Sequence, residues 1–314
     1  MPTLLHELIL QSASSTPAAT ALVYQKEEVS YEGLAERTQA AARGFLALGL
    51  ARGGRVAIYL EKRFETVVAS FAAACAGGAF VPVNPILKPD QVAYILRDCN
   101  VHILLTSAER MKVLAPALAD CQDLRAILLV GDAQSAPQLP GKTVLAWNEA
   151  SIASSTSLPH RIVDVDMAAI LYTSGSTGKP KGVVLSHRNM VAGALSVAQY
   201  LQNHREDRIL SALPLSFDAG FSQLTTAFSV GARVVLINYL LPRDIVSACD
   251  REAITGLTAV PPLWIQLAQL RWPDTVRDTL RYIANTGGRM PKATLDLLRA
   301  ALPKTLPYLM YGLT

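Results

Sequence analysis

The chain has 314 residues, 51% hydrophobic and 17% charged, with a formal net charge of +4. That composition supplies one large core or two domain-sized ones and excludes a disordered chain. Lysines and arginines are scattered, with no basic block and no interleaved aromatic platform, so nucleic acid is not implied as a partner.

In chain order, residues 4–11 read as an amphipathic helix and 21–24 and 28–31 as two short strands. A helix over 31–48 follows, with Leu34, Ala41, Phe45 and Leu48 at roughly helical spacing and Gly49 as its stop. Strands are then expected at 55–60, 79–83, 102–106 and 126–130, and helices at 66–76, 89–98 and 108–117. Residues 131–158 read as a loop-rich boundary. Beyond it come a strand ending at Tyr172, a strand over 182–185, and a helix over 187–201 with Ser186 as N-cap. A second alternating set succeeds it, with strands at 208–212, 233–237, 256–260, 282–285 and 306–310. Its helices fall at 219–229, 242–252, 262–270 and 292–302. Such alternation argues for an α/β fold with largely parallel sheets.

Membrane and secreted classes are disfavoured by the same sequence. Residues 66–87 carry no charge and are long enough in principle to cross a bilayer, but Pro82, Asn84 and Pro85 interrupt them. A buried helix, a Gly-Gly turn and a short strand fit better, so no membrane span is expected. The first ten residues lack a cationic start and carry Glu7, which argues against a signal peptide and for a cytoplasmic location. Cys75, Cys99, Cys121 and Cys249 are widely spaced and form no metal-ligand pattern, so no metal residues are assigned.

The richest segment is Thr173-Ser174-Gly175-Ser176-Thr177-Gly178-Lys179-Pro180-Lys181-Gly182. Glycines let successive N–H groups converge on an anion, hydroxyls add donors, and lysines add charge. A P-loop would need glycine where Thr173 stands and a metal-binding hydroxyl where Pro180 stands. Gly182-Val183-Val184-Leu185 is β-branched and strand-like rather than helical, so the loop joins two strands. An ordinary polar hairpin tip is the alternative, though it would not require so dense a set of donors.

Residues 172–182 resemble the signature of the AMP-forming adenylating enzymes: acyl- and aryl-CoA synthetases, luciferases and peptide-synthetase adenylation domains. Residues 76–85, Ala-Gly-Gly-Ala-Phe-Val-Pro-Val-Asn-Pro, are similar to an early stretch of that family. Asn285-Thr286-Gly287-Gly288-Arg289-Met290-Pro291 resembles its adenine-pocket turn. Tyr311-Gly312-Leu313-Thr314 resembles the start of its Tyr-Gly-x-Thr-Glu motif.

The resemblance implies two stacked αβα subdomains: residues 50–201 with the phosphate loop 172–182, and 202–314 with the substrate and adenine pocket. Residues 1–49 would pack on the second. It also implies ATP and Mg2+ as cofactors and a small carboxylic or amino acid as substrate, with a carrier-protein thiol or coenzyme A as acceptor. Thr173, Lys181 and Thr314 would be catalytic. Ser174, Gly175, Ser176, Thr177, Gly178 and Lys179 would grip the phosphates, and Gly287, Gly288, Arg289, Tyr311 and Gly312 the adenosine. Arg289 departs from the small or acidic residue common in the family.

Asp218 matches the aspartate that faces an amino-acid ammonium in peptide-synthetase domains, although Gly220 replaces the family's Ser. Capping the helix that begins at Ala219 is its other reading. Ala219, Ser222, Ala259, Ala284, Thr286 and Met310 would line the rest of a small, mostly apolar pocket suited to a compact or aliphatic amino acid. The wider segment 213–242 is similar to stand-alone prolyl-type aminoacyl ligases and to exosortase-associated ligases. The family's later glutamate, its β-barrel part and its C-terminal domain with the catalytic lysine lie beyond this sequence, so the chain alone is expected to be nearly inactive. A non-catalytic nucleotide-binding module is the reading from another class.

Overall fold

The computed structural model describes residues 1–152, 160–173 and 179–312. The chain divides into two compact units: Met1–Gln11 with Glu32–Val191, and Ser12–Tyr31 with Ala192–Thr314. Each is built on a 7-stranded, mostly parallel sheet.

In the first unit, β3 (Arg55–Tyr59) lies at the centre, flanked by β4 (Ala79–Pro82) on one side and β5 (Val101–Ser107) on the other. β6 (Ala126–Val130) and β7 (Thr143–Ala146) extend the β5 side, all in parallel. Beyond β4 stands an antiparallel hairpin, β8 (Met167–Thr173) with β9 (Lys181–Ser186). Central strands buried on both faces read as unbroken apolar runs, as Ala126-Ile-Leu-Leu-Val130 does. Ala57 and Tyr59 pack against α4 (Pro89–Asp98) and α5 (Ala108–Leu118), while α3 (Phe64–Cys75) is almost entirely buried. No helix among the described residues is long and apolar enough to cross a membrane.

The second unit repeats this order. β10 (Arg208–Ser211) is central, with β11 (Arg233–Leu236) on one side and β12 (Gly256–Ala259), β13 (Tyr282–Asn285) and β14 (Leu306–Leu309) on the other. Its hairpin, β1 (Thr20–Tyr24) with β2 (Glu27–Ser30), again lies beyond the second strand, with Leu22 paired to Val234. The two units are thus topological copies, except that the hairpin closes the first series in the chain and precedes the second. One sheet face packs on α9 (Pro242–Arg251), α10 (Pro261–Leu267) and α12 (Lys292–Ala301) through Leu257, Ile283, Trp264 and Leu298.

Three differences from the sequence expectation have physical causes. Only residues 12–31 of the N-terminal segment cluster with the second sheet. The Leu5 N–H instead donates to His187 Nδ1 at 3.0 Å, and Phe45 of α2 (Tyr31–Ala47) meets Trp147, both within the first unit. The stretch read as loop-rich contains β7 and α6 (Trp147–Ile152); β7 is a half-buried edge strand whose apolar run, Val144 to Ala146, is too short to stand out among the surrounding loop residues. The short α11 (Asp274–Thr279) was also not anticipated, being polar except for Val276.

Candidate active site

In the first unit the segment rich in glycine, hydroxyls and lysine joins the two strands of the β8–β9 hairpin. Its last pairs are Tyr172 with Gly182 and Thr173 with Lys181. The Tyr172 hydroxyl donates to Asp98 Oδ2 at 2.5 Å, and the Tyr94 hydroxyl donates to the Pro180 carbonyl at 3.3 Å. Burial, with the Asp98 carboxylate second, pushes the Tyr172 hydroxyl pKa well up, so it stays a donor. Both feet of the loop are therefore tied to α4. Glycine is needed at 182 because a Cβ there would lie 2.7 Å from Ile170 Cγ2 and 3.2 Å from the Tyr172 ring. Thr173 is half-buried, whereas Lys179 and Lys181 are exposed. Ser174, Gly175, Ser176, Thr177 and Gly178 lie outside the described residues, as does Thr314.

In the second unit the other assigned residues gather at the carboxyl ends of the parallel strands. Strand order reverses between β10 and β12, and in open α/β sheets ligands bind in the crevice at such a reversal. The segment after β10 turns sharply into α8 (Asp218–Val230). Any Cβ at Gly220 would overlap the Pro214 carbonyl, which explains glycine where the family has serine. Asp218 is half-buried, and its Oδ1 accepts from the Ala219 N–H at 2.7 Å. Its Oδ2 makes no hydrogen bond among the described residues. The helix begins at Asp218 itself, behind Phe217 as N-cap and without a side-chain cap bond, so Asp218 does not cap a helix starting at Ala219, and one of its carboxylate oxygens stays uncommitted.

The ends of β12 and β13 are tied by Trp264, whose Nε1 donates to the carbonyls of Ala259 (3.1 Å) and Ala284 (3.2 Å). The Thr286 N–H donates to the Ala259 carbonyl at 3.1 Å. Gly287 has φ +72°, where a side chain is strained, and its neighbour Gly288 offers its carbonyl to Asn285 Nδ2 at 2.7 Å. Gly287, Gly288 and Arg289 are exposed on this turn. On the adjacent strand, the Met310 N–H donates to the Asn285 carbonyl at 2.8 Å. Tyr311 beyond it is 97% exposed and presents a free ring face, next to exposed Gly312.

Beneath this rim lies a small cleft against the sheet face opposite Trp264. Ala219, Ser222 and Met310 line it, joined by Gln223 and Thr226 of α8. Strand alternation decides the rest. Thr258 and Tyr282 line the cleft, and Ala284, paired with Thr258 and two residues from Tyr282, shares their face. Ala259 belongs instead to the core cluster with Leu257 and Trp264. Thr258, Gln223, Thr226 and Tyr282 were not singled out from sequence. The helical spacing of 219, 222, 223 and 226 and the two-residue period of β12 and β13 were the available signals.

Buried polar atoms without partners among the described residues occur at both ends of the sheet, with Asn203 Oδ1, Arg208 Nε and Arg233 Nε at the amino end. At the amino end Asp207 is fully buried but surrounded: Arg281 Nη2 lies at 2.7 Å, Thr255 Oγ1 donates at 2.7 Å and Asn203 Nδ2 at 3.0 Å. Burial by itself would raise its pKa; these donors, Arg281 first, hold it below the usual carboxylate value. At the carboxyl end Ser211 Oγ, Ser216 Oγ and Asn285 Oδ1 are buried without partners among the described residues. Among the described residues no group of three or more His, Cys, Asp or Glu side chains converges to hold a metal.

An α/β chain with a glycine-, hydroxyl- and lysine-rich hairpin and a cleft beside a strand-order reversal is the class these features define. Residues 9–314 match the family described as AMP-binding enzyme, and the chain belongs to that family. It is similar to the L-proline--[L-prolyl-carrier protein] ligase of Pseudomonas fluorescens, 31% identical over 303 residues, covering 95% of this chain and 58% of the relative. It is also similar to bacitracin synthase 3 of Bacillus licheniformis, 29% identical, covering 99% of this chain but 4% of the relative. The structure of VinN with L-aspartate superposes with a TM-score of 0.82 at 26% identity, covering 99% of this chain and 76% of that one. The anthranilate CoA ligase AuaEII with anthranoyl-AMP gives 0.88 at 22% identity, over 100% and 61% of the two chains, a likeness of fold alone. The chain therefore spans less than two thirds of the length of either curated relative.

Proposed function

We propose that this chain carries the ATP and acid sites of an enzyme that activates a small amino acid as its adenylate and passes it to a carrier-protein thiol. The observation that carries the reading is the β8–β9 hairpin, which sets Thr173 opposite Lys181 at the mouth of a glycine- and hydroxyl-rich loop. In the reaction a carboxylate oxygen bonds to the α-phosphorus of ATP, the bond from that phosphorus to the bridging oxygen breaks, and pyrophosphate leaves. Both reactants are anions, so the site must offset their repulsion.

Thr173, Lys179 and Lys181 would hold the β- and γ-phosphates and lead pyrophosphate away. Gly287 and Gly288 would admit the flat adenine edge, Tyr311 would stack on it, and Thr314 would meet the α-phosphate. Asp218 Oδ2 would face the substrate ammonium, a strong selector because an uncharged group would leave the carboxylate unpaired. Ala219, Ser222, Ala284, Thr286 and Met310 would surround the side chain. Mg2+ would arrive on the ATP phosphates, which suits a cation that keeps most of its water.

A second reading, an acid transferred to coenzyme A, draws support from Asp218 Oδ1 being already engaged by the Ala219 N–H. Calorimetry with ATP and non-hydrolysable aminoacyl-adenylate mimics tests the first reading. Asp218→Ala should abolish the preference for aminoacyl over desamino-acyl mimics; an unchanged preference would support the second. Binding of neither ATP nor any mimic would defeat both.

A further inference from the structure

We propose that the cleft of the second unit reads a hydrogen-bond donor on a short substrate side chain, with Gln223 Oε1 as the acceptor. This rests on the adenylation reading above and narrows its substrate to amino acids bearing a short hydroxylated side chain, rather than the aliphatic ones that alanines alone would suggest.

Gln223 lines the cleft and is 5% exposed. Its Nε2 donates to the Leu210 carbonyl at 3.0 Å, which fixes the amide orientation, since the flipped amide would set oxygen against oxygen. Oε1 is then the remaining polar atom, buried and without a partner among the described residues. A buried acceptor left unpaired is costly, and a ligand that donates to it recovers that cost.

The surroundings share the character of this atom. Ser222 Oγ and Thr226 Oγ1, on the same helix, are 3.4 Å apart and hold each other only weakly. Thr258 adds a third hydroxyl residue, while Val197, Leu201 and Ile209 complete the lining with apolar side chains. A threonine-like side chain, one methyl and one hydroxyl on the same carbon, matches such a divided lining. Length is limited by Tyr282. Its ring fills the space over Gly256, where a Cβ would overlap it, and its hydroxyl accepts from Asn203 Nδ2 at 3.2 Å. That bond holds the ring at the cleft wall.

The test is calorimetric binding of four 5′-O-(N-aminoacylsulfamoyl)adenosines to the whole chain: threonyl against valyl, and seryl against 2-aminobutyryl. Within each pair a hydroxyl replaces a methyl, so the nucleoside contributes equally and the ratio reports the cleft. The hydroxylated member is expected to bind at least about tenfold more tightly. The near-isosteric Gln223→Met should bring both ratios close to one. Equal or reversed binding in the wild-type protein overturns the proposal whether or not Gln223→Met folds. Ratios retained in folded Gln223→Met overturn the assignment to Gln223. Tight binding of all four without preference sinks this inference alone, whereas binding of none removes the adenylation reading with it.

Discussion

Lowering the pH should loosen the first unit through one histidine. His187 is fully buried at the start of α7 (His187–Tyr200), and its Nδ1 accepts the Leu5 N–H at 3.0 Å. The ring proton must therefore sit on Nε2, which is buried without a partner among the described residues. Burial first, and then His6 with its ring centroid 6.2 Å away, pushes the His187 pKa from its ordinary 6.5 down to about 4; Asp166, Glu7 and Asp164 oppose this. Protonation of Nδ1 would set a proton against the Leu5 N–H and release the N-terminal residues.

The folded pKa lies below the unfolded one. The stabilisation is therefore complete above pH 6.5 and lost as pH falls from there through about 4. A gap of roughly 2.5 units corresponds to about 3 kcal/mol in full, and to about 2 kcal/mol at about pH 5. Burial also lowers the His6 pKa, so His6 adds in the same direction. Urea unfolding at about pH 7.5 and about pH 5 measures the loss, with His187→Asn as the control because its side-chain oxygen can replace Nδ1 as acceptor. The wild-type protein should lose about 2 kcal/mol more than the variant between those conditions. Identical losses would refute the argument.

Gly220→Ala should lower stability by more than about 2 kcal/mol, since the new methyl meets backbone rather than a movable side chain; a denaturant midpoint within error of wild type would contradict this. Asp207→Ala leaves the Arg281 guanidinium, 30% exposed, without its carboxylate and should cost about 3 kcal/mol, near the lower end for breaking a buried pair. A change below about 1 kcal/mol would place that pair among surface bridges.

Much of the architecture was legible because its helices and strands alternate with clear periods. The helix over residues 89–98 and the strands over 126–130 and 282–285 coincide with the observed elements. What escaped was short, edge-lying or polar: β7, α6 and α11 bury too little to impose a pattern. Pairing of Leu22 with Val234 is non-local and leaves no local mark. In the candidate site, glycines and hydroxyls mark the hairpin loop and the Gly287–Gly288 turn, because backbone approach and donor density are written in residue type. The cleft was harder to read. Ala259 and Thr258 differ by one position, and one position in a strand exchanges core for cleft. The unpartnered oxygen of Gln223 is a property of three-dimensional packing, and no one-dimensional pattern announces it.

Calorimetric titration with ATP and with AMP, on the wild-type chain and on a Lys179→Ala/Lys181→Ala variant, tests the polyphosphate clasp most directly. These exposed lysines flank the loop without supporting the fold, so the melting temperature should hold. ATP affinity should fall by about tenfold or more while AMP affinity stays unchanged. Equal weakening of both nucleotides, or of neither, would contradict the assignment of that loop to the β- and γ-phosphates.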